Sequence, residues 1–166
     1  MNIAAPAAVC PEFRLARAMG GKNLSLALAE SCTGGLISHL ITEVSGSSSY
    51  FDRSLVVYSN KAKSELLGVP EKIFQTDGAV SQACAAAMLE GLFERTEVDL
   101  AAAVTGIAGP AGGSAKKPVG TVWTAYGWRG YINCELFVFS GERSEVKRQA
   151  AAAVLNRLAE LAEQRQ

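Results

Sequence analysis

The chain alternates short apolar runs with segments whose apolar residues recur at helical spacing. Residues 24–29, 54–58 and 100–104 are apolar runs of strand length, and helical segments or a long loop follow them. This order is typical of βαβ units, which build parallel sheets covered by helices. Residues 119–126 and 131–139 are β-rich runs joined by the turn Gly-Trp-Arg-Gly, which predicts a hairpin.

Helical spacing, together with glycine and proline at its ends, predicts the remaining elements. The predicted helices cover residues 11–19, 36–44, 60–67, 82–96 and the segment from 142 onward. The fold class that follows is α/β: a three-layer α/β/α sandwich with a mixed, mostly parallel five-stranded sheet that contains one antiparallel strand. We expect a single domain over residues 1–166 with a core from about 11 to 163.

The composition restricts the classes of partner. Sixteen Lys and Arg residues balance sixteen Asp and Glu, which argues against a broad nucleic-acid or membrane surface but permits a local anion site. The four cysteines form no C-x-x-C pair and there is one histidine, so a zinc cluster is not favoured. The first ten residues lack the features of a signal peptide and no apolar run has the length of a membrane span, so we expect a cytoplasmic protein.

Polar stretches follow each of the three predicted parallel strands. They read ESCTGG from Glu30, YSNKAK from Tyr58 and TGIAGPAGG from Thr105. Ligands bind beyond the carboxyl ends of the strands in open parallel sheets, so these stretches are expected to open onto one crevice. Each stretch by itself is compatible with an ordinary loop, and their coincidence at one sheet edge favours a site.

Several familiar catalytic motifs do not occur. The sequence has no P-loop, no dinucleotide-binding fingerprint and no G-x-S-x-G elbow. His39 is surrounded by apolar residues in its predicted helix, which indicates a structural role and leaves a Ser-His-Asp triad without a base. Cys32 is a competing nucleophile, but without a histidine base a packed thiol is the favoured interpretation.

Ser31 and Lys63 are the candidate nucleophile and general base. Ser31 lies at a strand-to-helix turn, where the backbone N–H groups of Thr33, Gly34 and Gly35 are candidate donors to an oxyanion. The hydroxyl of Thr33 is expected to cap the helix. Lys63 lies in the first turns of a helix that faces the crevice, where both the helix dipole and desolvation lower the pKa of a lysine. A lowered pKa is what a lysine base requires.

Further candidates surround this pair. Tyr58 is a candidate proton relay or a contact of Lys63, the alternative being a half-buried strand tyrosine. Arg143 is the candidate ligand of a substrate phosphate, the alternative being a surface ion pair with Glu142 or Glu145. The glycine-rich loop supplies candidate N–H donors for an anion. The candidate residues in that loop are Gly106, Ala108, Gly109, Gly112 and Gly113.

The order of the motifs resembles the CinA C-terminal domain family, whose stand-alone members include nicotinamide-nucleotide amidases. The resemblance spans Lys22 to Leu161 and is carried by AESCTGG, GSS-x-YF, VVYSNKAK, LLGV, GAVS, AVTGIAGPAGG and KPVGTVW. It implies an anticodon-binding-domain-like fold and hydrolysis of nicotinamide mononucleotide to nicotinate mononucleotide and ammonia. It also implies a serine–lysine pair without metal or cofactor, Tyr58 and Thr105 in the same pocket, and a homodimer.

Two alternative functions stay open at this point. A non-catalytic nucleotide-binding or regulatory protein would keep the fold and the motifs without turnover. An amidase for another small amide would keep the chemistry and change the substrate. In every case the expected ligand is a small nucleotide-like molecule, not a nucleic acid or a membrane.

Overall fold

The structure is a computed structural model that describes residues 10–165. The prediction that no signal peptide is present concerns residues 1–10, of which 1–9 lie outside the described part. The elements in chain order are α1 (Pro11–Met19), β1 (Leu26–Glu30), α2 (Leu36–Thr42), a 3₁₀ helix (Ser47–Ser49), β2 (Phe51–Val56), α3 (Asn60–Leu67), α4 (Glu71–Thr76), α5 (Gln82–Glu94), β3 (Leu100–Gly106), β4 (Thr121–Trp128), β5 (Tyr131–Val138) and α6 (Arg143–Gln164). None of these helices is long and apolar enough to cross a membrane.

The strands form one mixed sheet in the order β2-β1-β3-β4-β5. β1 is parallel to both β2 and β3, whereas β4 is antiparallel to β3 and to β5. The predicted five-stranded, mostly parallel sheet is therefore confirmed, with β4 as the antiparallel strand. Every residue of β1 is buried, as expected for a central strand that helices cover on both faces.

Helices form a layer on each face of the sheet. On one face α1, α2 and α6 enclose a core that includes Leu28, Ile41 and Leu155. On the other face α3 and α5 enclose a second core that includes Ala27 and Leu89. The two layers hold the central strands between them, so the carboxyl ends of β1 and β3 are fixed relative to each other.

The connections create a switch point between β1 and β3. The segment from β1 to β2 carries α2 on one face, and the segment from β2 to β3 carries α3, α4 and α5 on the other face. Because the chain leaves the centre of the sheet in opposite directions, a crevice opens beyond the carboxyl ends of β1 and β3. Ser31 follows β1 directly, and the glycine-rich loop follows β3 at the same edge.

Two elements differ from the sequence prediction. The predicted strand at 54–58 is observed as Phe51–Val56, because β2 is an edge strand whose first half exposes Asp52 and Arg53 and so lacks an apolar pattern. The helix α4 was not predicted, since it buries none of its residues and therefore shows no apolar periodicity. The ends of the other elements differ from prediction by a few residues at most.

Candidate active site

A cavity of about 260 Å³ opens at the switch point. It brings together the three polar stretches that follow β1, β2 and β3, as the sequence predicted, and adds the first residue of α6. The predicted site residues that line it are Ser31, Tyr58, Lys63, Thr105, Gly106, Ala108, Gly109, Gly112 and Arg143. A larger cavity of about 410 Å³ lies at the opposite edge of the sheet and contains no lysine among its lining residues within the described chain.

Some residues were placed differently from the prediction. Thr33, Gly34 and Gly35 do not line the cavity but form the turn behind Ser31, and Gly113 packs against Val119. The structure also adds lining residues that were not named as candidate ligands. These are Asn60, Ile107 and Ala111 within the predicted polar stretches, Ala79 and Val80 before α5, and Cys32, which had been considered only as a nucleophile.

The backbone holds Ser31 at the end of β1. Its N–H donates to the carbonyl of Val104 in β3 over 3.0 Å, and its carbonyl accepts the N–H of Gly34 over 3.1 Å. Gly34 and Gly35 adopt φ values of 63° and 92°, which side chains with a Cβ rarely tolerate, so the tight reversal after the serine requires glycine. Ser31 is 7% exposed and lines the same cavity as Lys63.

Glu30 lies directly beneath this turn and was missed as a functional residue. It is fully buried, and its carboxylate accepts hydrogen bonds from both the turn and the neighbouring strand. The donors are the backbone N–H groups of Gly35 (3.0 Å), Ile37 (3.1 Å) and Ser38 (2.8 Å) and the hydroxyls of Thr33 (2.8 Å) and Ser54 (3.2 Å). A buried carboxylate needs such donors. The sequence signal that could have identified Glu30 is therefore an acidic residue at the end of an apolar strand.

These contacts correct two expectations. Thr33 does not cap α2, because its hydroxyl donates to Glu30 and the N-cap position is held by Gly35. The N–H groups of Gly34 and Gly35 are not available to an oxyanion, since they bond to Ser31 and Glu30. Within residues 10–165, the N–H groups of Cys32 and Thr33 donate to no oxygen atom, but of these two residues Cys32 alone lines the cavity, so its N–H remains as the candidate donor.

Lys63 is buried on α3, with 2% of its surface exposed. Its Nζ donates to the carbonyl oxygen of Tyr58 over 3.4 Å. Tyr58 lies in the connection between β2 and α3. Burial lowers the pKa of Lys63 below its ordinary value of 10.5, and the nearby thiols of Cys84 and Cys32 oppose this only in part. Desolvation therefore favours the neutral amine that a general base requires.

The thiols near Lys63 are poor nucleophiles. Burial raises the pKa of Cys32 to about 12 and that of Cys84 to about 11, so both stay protonated near neutral pH. Cys32 belongs to the apolar core beneath the turn, which agrees with the predicted packed thiol. His39 does not have the predicted structural role, because its side chain is exposed and lies beside Glu43 on the surface of α2.

Tyr58 and Arg143 meet at the mouth of the cavity. The guanidinium of Arg143 donates to the Tyr58 hydroxyl over 2.7 Å and to the Gly109 carbonyl over 2.8 Å. Tyr58 is 59% exposed, which rules out the half-buried strand tyrosine, and it contacts Lys63 through its carbonyl group and not its hydroxyl. The alternative pairing of Arg143 with an acidic neighbour is also wrong, since Glu142 and Glu145 form a capping box with the α6 backbone.

The glycine-rich loop packs tightly against the segment that precedes β4. Thr105 donates its hydroxyl to the carbonyl of Ala79 over 2.8 Å and so joins the loop before α5 to the cavity. Gly109 has a φ of 85°, and a Cβ there would lie 2.5 Å from a methyl carbon of Val119. A larger residue at this position would therefore push the loop away from Val119 and open the cavity wall.

The cavity carries a positive charge from Arg143. Its guanidinium lines the cavity, and no Asp or Glu is among the lining residues in the described part of the chain. Lys147, one turn after Arg143 on α6, places its Nζ 3.7 Å from where a Cβ on Gly34 would lie. The Glu30 carboxylate is satisfied by its own donors, so the site as a whole is suited to an anionic ligand.

Relatives of this chain come from one family. The family model for the CinA C-terminal domain matches residues 12–162. A CinA-like protein of Geotalea daltonii is 54% identical over 80% of this chain, which covers 32% of that protein. The chain spans about a third of the length of such CinA-like relatives. A protein of Enterobacter agglomerans named nicotinamide-nucleotide amidohydrolase PncC is 49% identical over 81% of this chain and 82% of its own length.

Solved structures agree with this assignment. The competence damage-inducible protein A of Klebsiella pneumoniae superposes with a TM-score of 0.89 at 33% identity, covering 94% of this chain and 97% of that one. A competence/damage inducible protein of Agrobacterium tumefaciens superposes with a TM-score of 0.87 at 40% identity, covering 91% of this chain and 94% of that one. This chain belongs to the CinA C-terminal domain family.

Proposed function

We propose that this protein is an amidohydrolase that converts nicotinamide mononucleotide to nicotinate mononucleotide and ammonia. The observation that carries the proposal is that Ser31 and the buried Lys63, whose pKa is lowered, line one cavity. The absence of carboxylates from the described lining and the presence of Arg143 suit an anionic nucleotide. Similarity to a protein named nicotinamide-nucleotide amidohydrolase supports this choice of substrate.

The first half of the reaction forms an acyl-enzyme. The Ser31 hydroxyl attacks the carboxamide carbon while neutral Lys63 accepts its proton. The oxyanion that develops accepts a hydrogen bond from the N–H group of Cys32, worth about 3 kcal/mol of barrier. The C–N bond then breaks as the Lys63 ammonium returns the proton to the departing nitrogen, which leaves as ammonia.

The second half of the reaction releases the acid. A water molecule takes the position that ammonia vacated, and Lys63 again accepts a proton as the water attacks the ester carbon. The ester C–O bond breaks, Ser31 regains its proton from Lys63, and nicotinate mononucleotide leaves as a carboxylate. Lys63 thus serves as base and acid in alternation, which a lysine with an ordinary pKa does poorly at neutral pH.

Arg143 is the proposed ligand of the substrate phosphate. Both of its acceptors, the Tyr58 hydroxyl and the Gly109 carbonyl, are neutral, so its charge is not neutralised by a carboxylate. A second cavity of about 670 Å³ adjoins the first and shares Ala108 and Arg143 with it. A mononucleotide is longer than its base, and this arrangement lets the pyridine amide reach Ser31 while the phosphate stays at Arg143.

The decisive experiment measures ammonia and nicotinate mononucleotide released from nicotinamide mononucleotide by the purified protein, with the Ser31→Ala variant as control. We expect steady turnover by the natural protein and none by the variant. Nucleotide binding without turnover in both proteins would favour the non-catalytic nucleotide-binding alternative. A much higher kcat/KM for another pyridine amide would keep the chemistry and overturn the proposed substrate.

A further inference from the structure

We propose that Glu30 is a positioning residue for the reaction, which holds the backbone of the nucleophile turn so that the N–H group of Cys32 stays open to the oxyanion. The inference rests on the proposed function, because it assigns Glu30 a role in that chemistry. Glu30 does not line the cavity and has no access to substrate. It acts through the turn between Ser31 and Ser38.

The first argument is the distribution of the donors. Three of the five groups that bond to Glu30 are backbone N–H groups of the turn and the first residues of α2. Each N–H that bonds to the Glu30 carboxylate disfavours other conformations of the turn, because they would lose that hydrogen bond. Among the described residues of the turn from Ser31 to Ser38, the N–H groups that remain without an oxygen acceptor are those of Cys32 and Thr33, and of these two residues Cys32 lines the cavity.

The second argument is the choice of an ionisable residue. A neutral side chain at the N-cap position is enough to begin a helix, and burying a carboxylate carries a desolvation cost. Here the N-cap residue Gly35 has no side chain, and the hydroxyl of Thr33 bonds to Glu30 instead of to the helix backbone. The structure therefore uses charge-assisted hydrogen bonds, which are stronger and shorter than neutral ones, to hold this particular turn.

The third argument is the link to the base. Glu30 also accepts a hydrogen bond from the Ser54 hydroxyl in β2, and its own carbonyl accepts the N–H of Val57 over 2.8 Å. The chain runs from there through Tyr58 into α3 and Lys63. Glu30 thus connects the turn that carries the nucleophile to the segment that leads into the base.

The test is the Glu30→Gln variant of the full chain, assayed with nicotinamide mononucleotide. Glutamine keeps the size but removes the charge and turns an NH₂ group toward donors. We expect kcat to fall about a hundredfold, the loss typical of a small displacement of catalytic groups, while KM changes by less than about threefold. The matched control is Glu135→Gln, which removes a carboxylate that bonds to Arg157 and Tyr126 outside the cavity and should leave kcat unchanged.

A second measurement does not depend on activity. Amide hydrogen exchange should become faster at Gly35, Ile37 and Ser38 in the Glu30→Gln variant, with the amides of β3 and α6 unchanged. If this variant does not fold, Glu30→Asp keeps the charge on a shorter side chain and takes its place. The expected order of kcat is natural protein, then Glu30→Asp, then Glu30→Gln.

The outcomes are distinct. Natural kcat in a folded Glu30→Gln variant, or a general rise in exchange across the whole chain, overturns the positioning role. The same conclusion follows if Glu30→Asp alone folds and keeps the natural kcat. If the natural protein releases no ammonia, the proposed function fails, and the exchange rates still decide whether Glu30 holds the turn.

Discussion

Ser31 and Cys32 are neighbours in the chain, and burial affects their reactivity in different ways. The two side chains are 7% and 6% exposed. A thiol acts as a nucleophile through its thiolate, and burial raises the pKa of Cys32 to about 12, so that form is scarce. A serine needs no prior ionisation if a base takes its proton during attack, and Lys63 lines the same cavity.

The first prediction at the residue scale concerns replacement of Ser31, the proposed nucleophile. Ser31→Ala should abolish turnover and change nucleotide affinity less than about threefold, because the turn is held by backbone and Glu30 contacts that alanine leaves intact. The measurements are ammonia release and calorimetric binding of nicotinamide mononucleotide. Cys32→Ala is the matched control and should retain turnover. An active Ser31→Ala protein together with an inactive Cys32→Ala protein would contradict the serine mechanism.

The pH dependence of the reaction follows from Lys63. Its pKa is lowered by burial, and in the proposed mechanism the active form is the neutral amine, so kcat/KM should rise with pH and level off above the lowered pKa. The inflection should lie below 10.5, the ordinary value. A pH–rate profile measures this. Lys63→Arg should lose nearly all activity at every pH, because a guanidinium stays charged; ordinary turnover in that variant would contradict the role as base.

At the scale of elements, α3 is a short helix that directs a lysine into the protein. The Ser59 hydroxyl accepts the N–H of Ala62 and caps the helix, and the side chains of Lys63 and Leu67 are buried. A buried amine weakens the fold when it is protonated, since desolvation disfavours its charge. α3 therefore lowers the stability of the fold and, in the proposed mechanism, supplies a base that is ready to accept a proton.

The burial of Lys63 therefore predicts that the free energy of unfolding depends on pH. The unfolded chain binds more protons than the folded one between the lowered pKa of Lys63 and 10.5, so the free energy of unfolding rises with pH in that window. Lys63→Met should raise the Tm at pH 7, and each 1 kcal/mol gained corresponds to about 2–4 °C in a chain of this size. The gain should shrink as the pH approaches 10.5.

Thermal unfolding across this pH range measures the effect. Lys61→Met is the matched control, because Lys61 lies on the same helix, its side chain is 81% exposed, and it pairs with Glu65 at the surface. Its Tm should differ from that of the natural protein by no more than about one degree. A Lys63→Met protein that is less stable than the natural one at pH 7 would contradict the proposed cost of burial.

At the scale of the whole molecule, α6 closes the site that β1, β2 and β3 begin. Arg143, at the start of α6, bonds to Tyr58 across 85 residues of sequence and to the loop after β3. The rest of α6 packs along one face of the sheet and against α1. The long helix therefore fixes the position of a cation beside a cavity made mostly by earlier parts of the chain.

Removal of this cation is the prediction that follows. Arg143→Ala should raise the KM for nicotinamide mononucleotide roughly 10–100-fold, the value of a charged hydrogen bond, and should hardly change any slow turnover of free nicotinamide. Steady-state kinetics on both substrates measure the split. Arg148→Ala removes an exposed arginine of the same helix and should change neither value. Equal losses on both substrates would mean that Arg143 supports the fold instead of the phosphate.

A variant of Tyr58 tests whether the residues at the mouth of the cavity bind substrate or take part in the chemical step. Its hydroxyl accepts from Arg143, and its link to Lys63 passes through the backbone. Tyr58→Phe should therefore raise the KM for the mononucleotide a few-fold and leave kcat within about twofold. The kinetic split is again the measurement. A large fall in kcat with unchanged KM would restore the proton relay that the sequence suggested.

The sequence alone determined the types of the elements, the fold class and the positions of Ser31 and Lys63. Apolar periodicity and glycine or proline at element ends act over a few residues, so they can be recognised locally. Strands of one direction place the residues that follow them at one edge, so ESCTGG and YSNKAK could be assigned to one crevice before any contact was known. The bounds of the edge strand β2 and the existence of the helix α4 were not predicted, because exposed elements lack that periodicity.

Tertiary structure decided which groups are available for chemistry. Hydrogen bonds within the folded turn removed Gly34, which donates to the Ser31 carbonyl, and Gly35, which donates to Glu30, and left Cys32 as the donor that lines the cavity, although all of them belong to one short motif. The pairing of Arg143 with Tyr58 replaced the local ion pair that the sequence offered. A hydrogen bond goes to the partner that packing brings within about 3 Å, and packing joins residues that are distant in the chain.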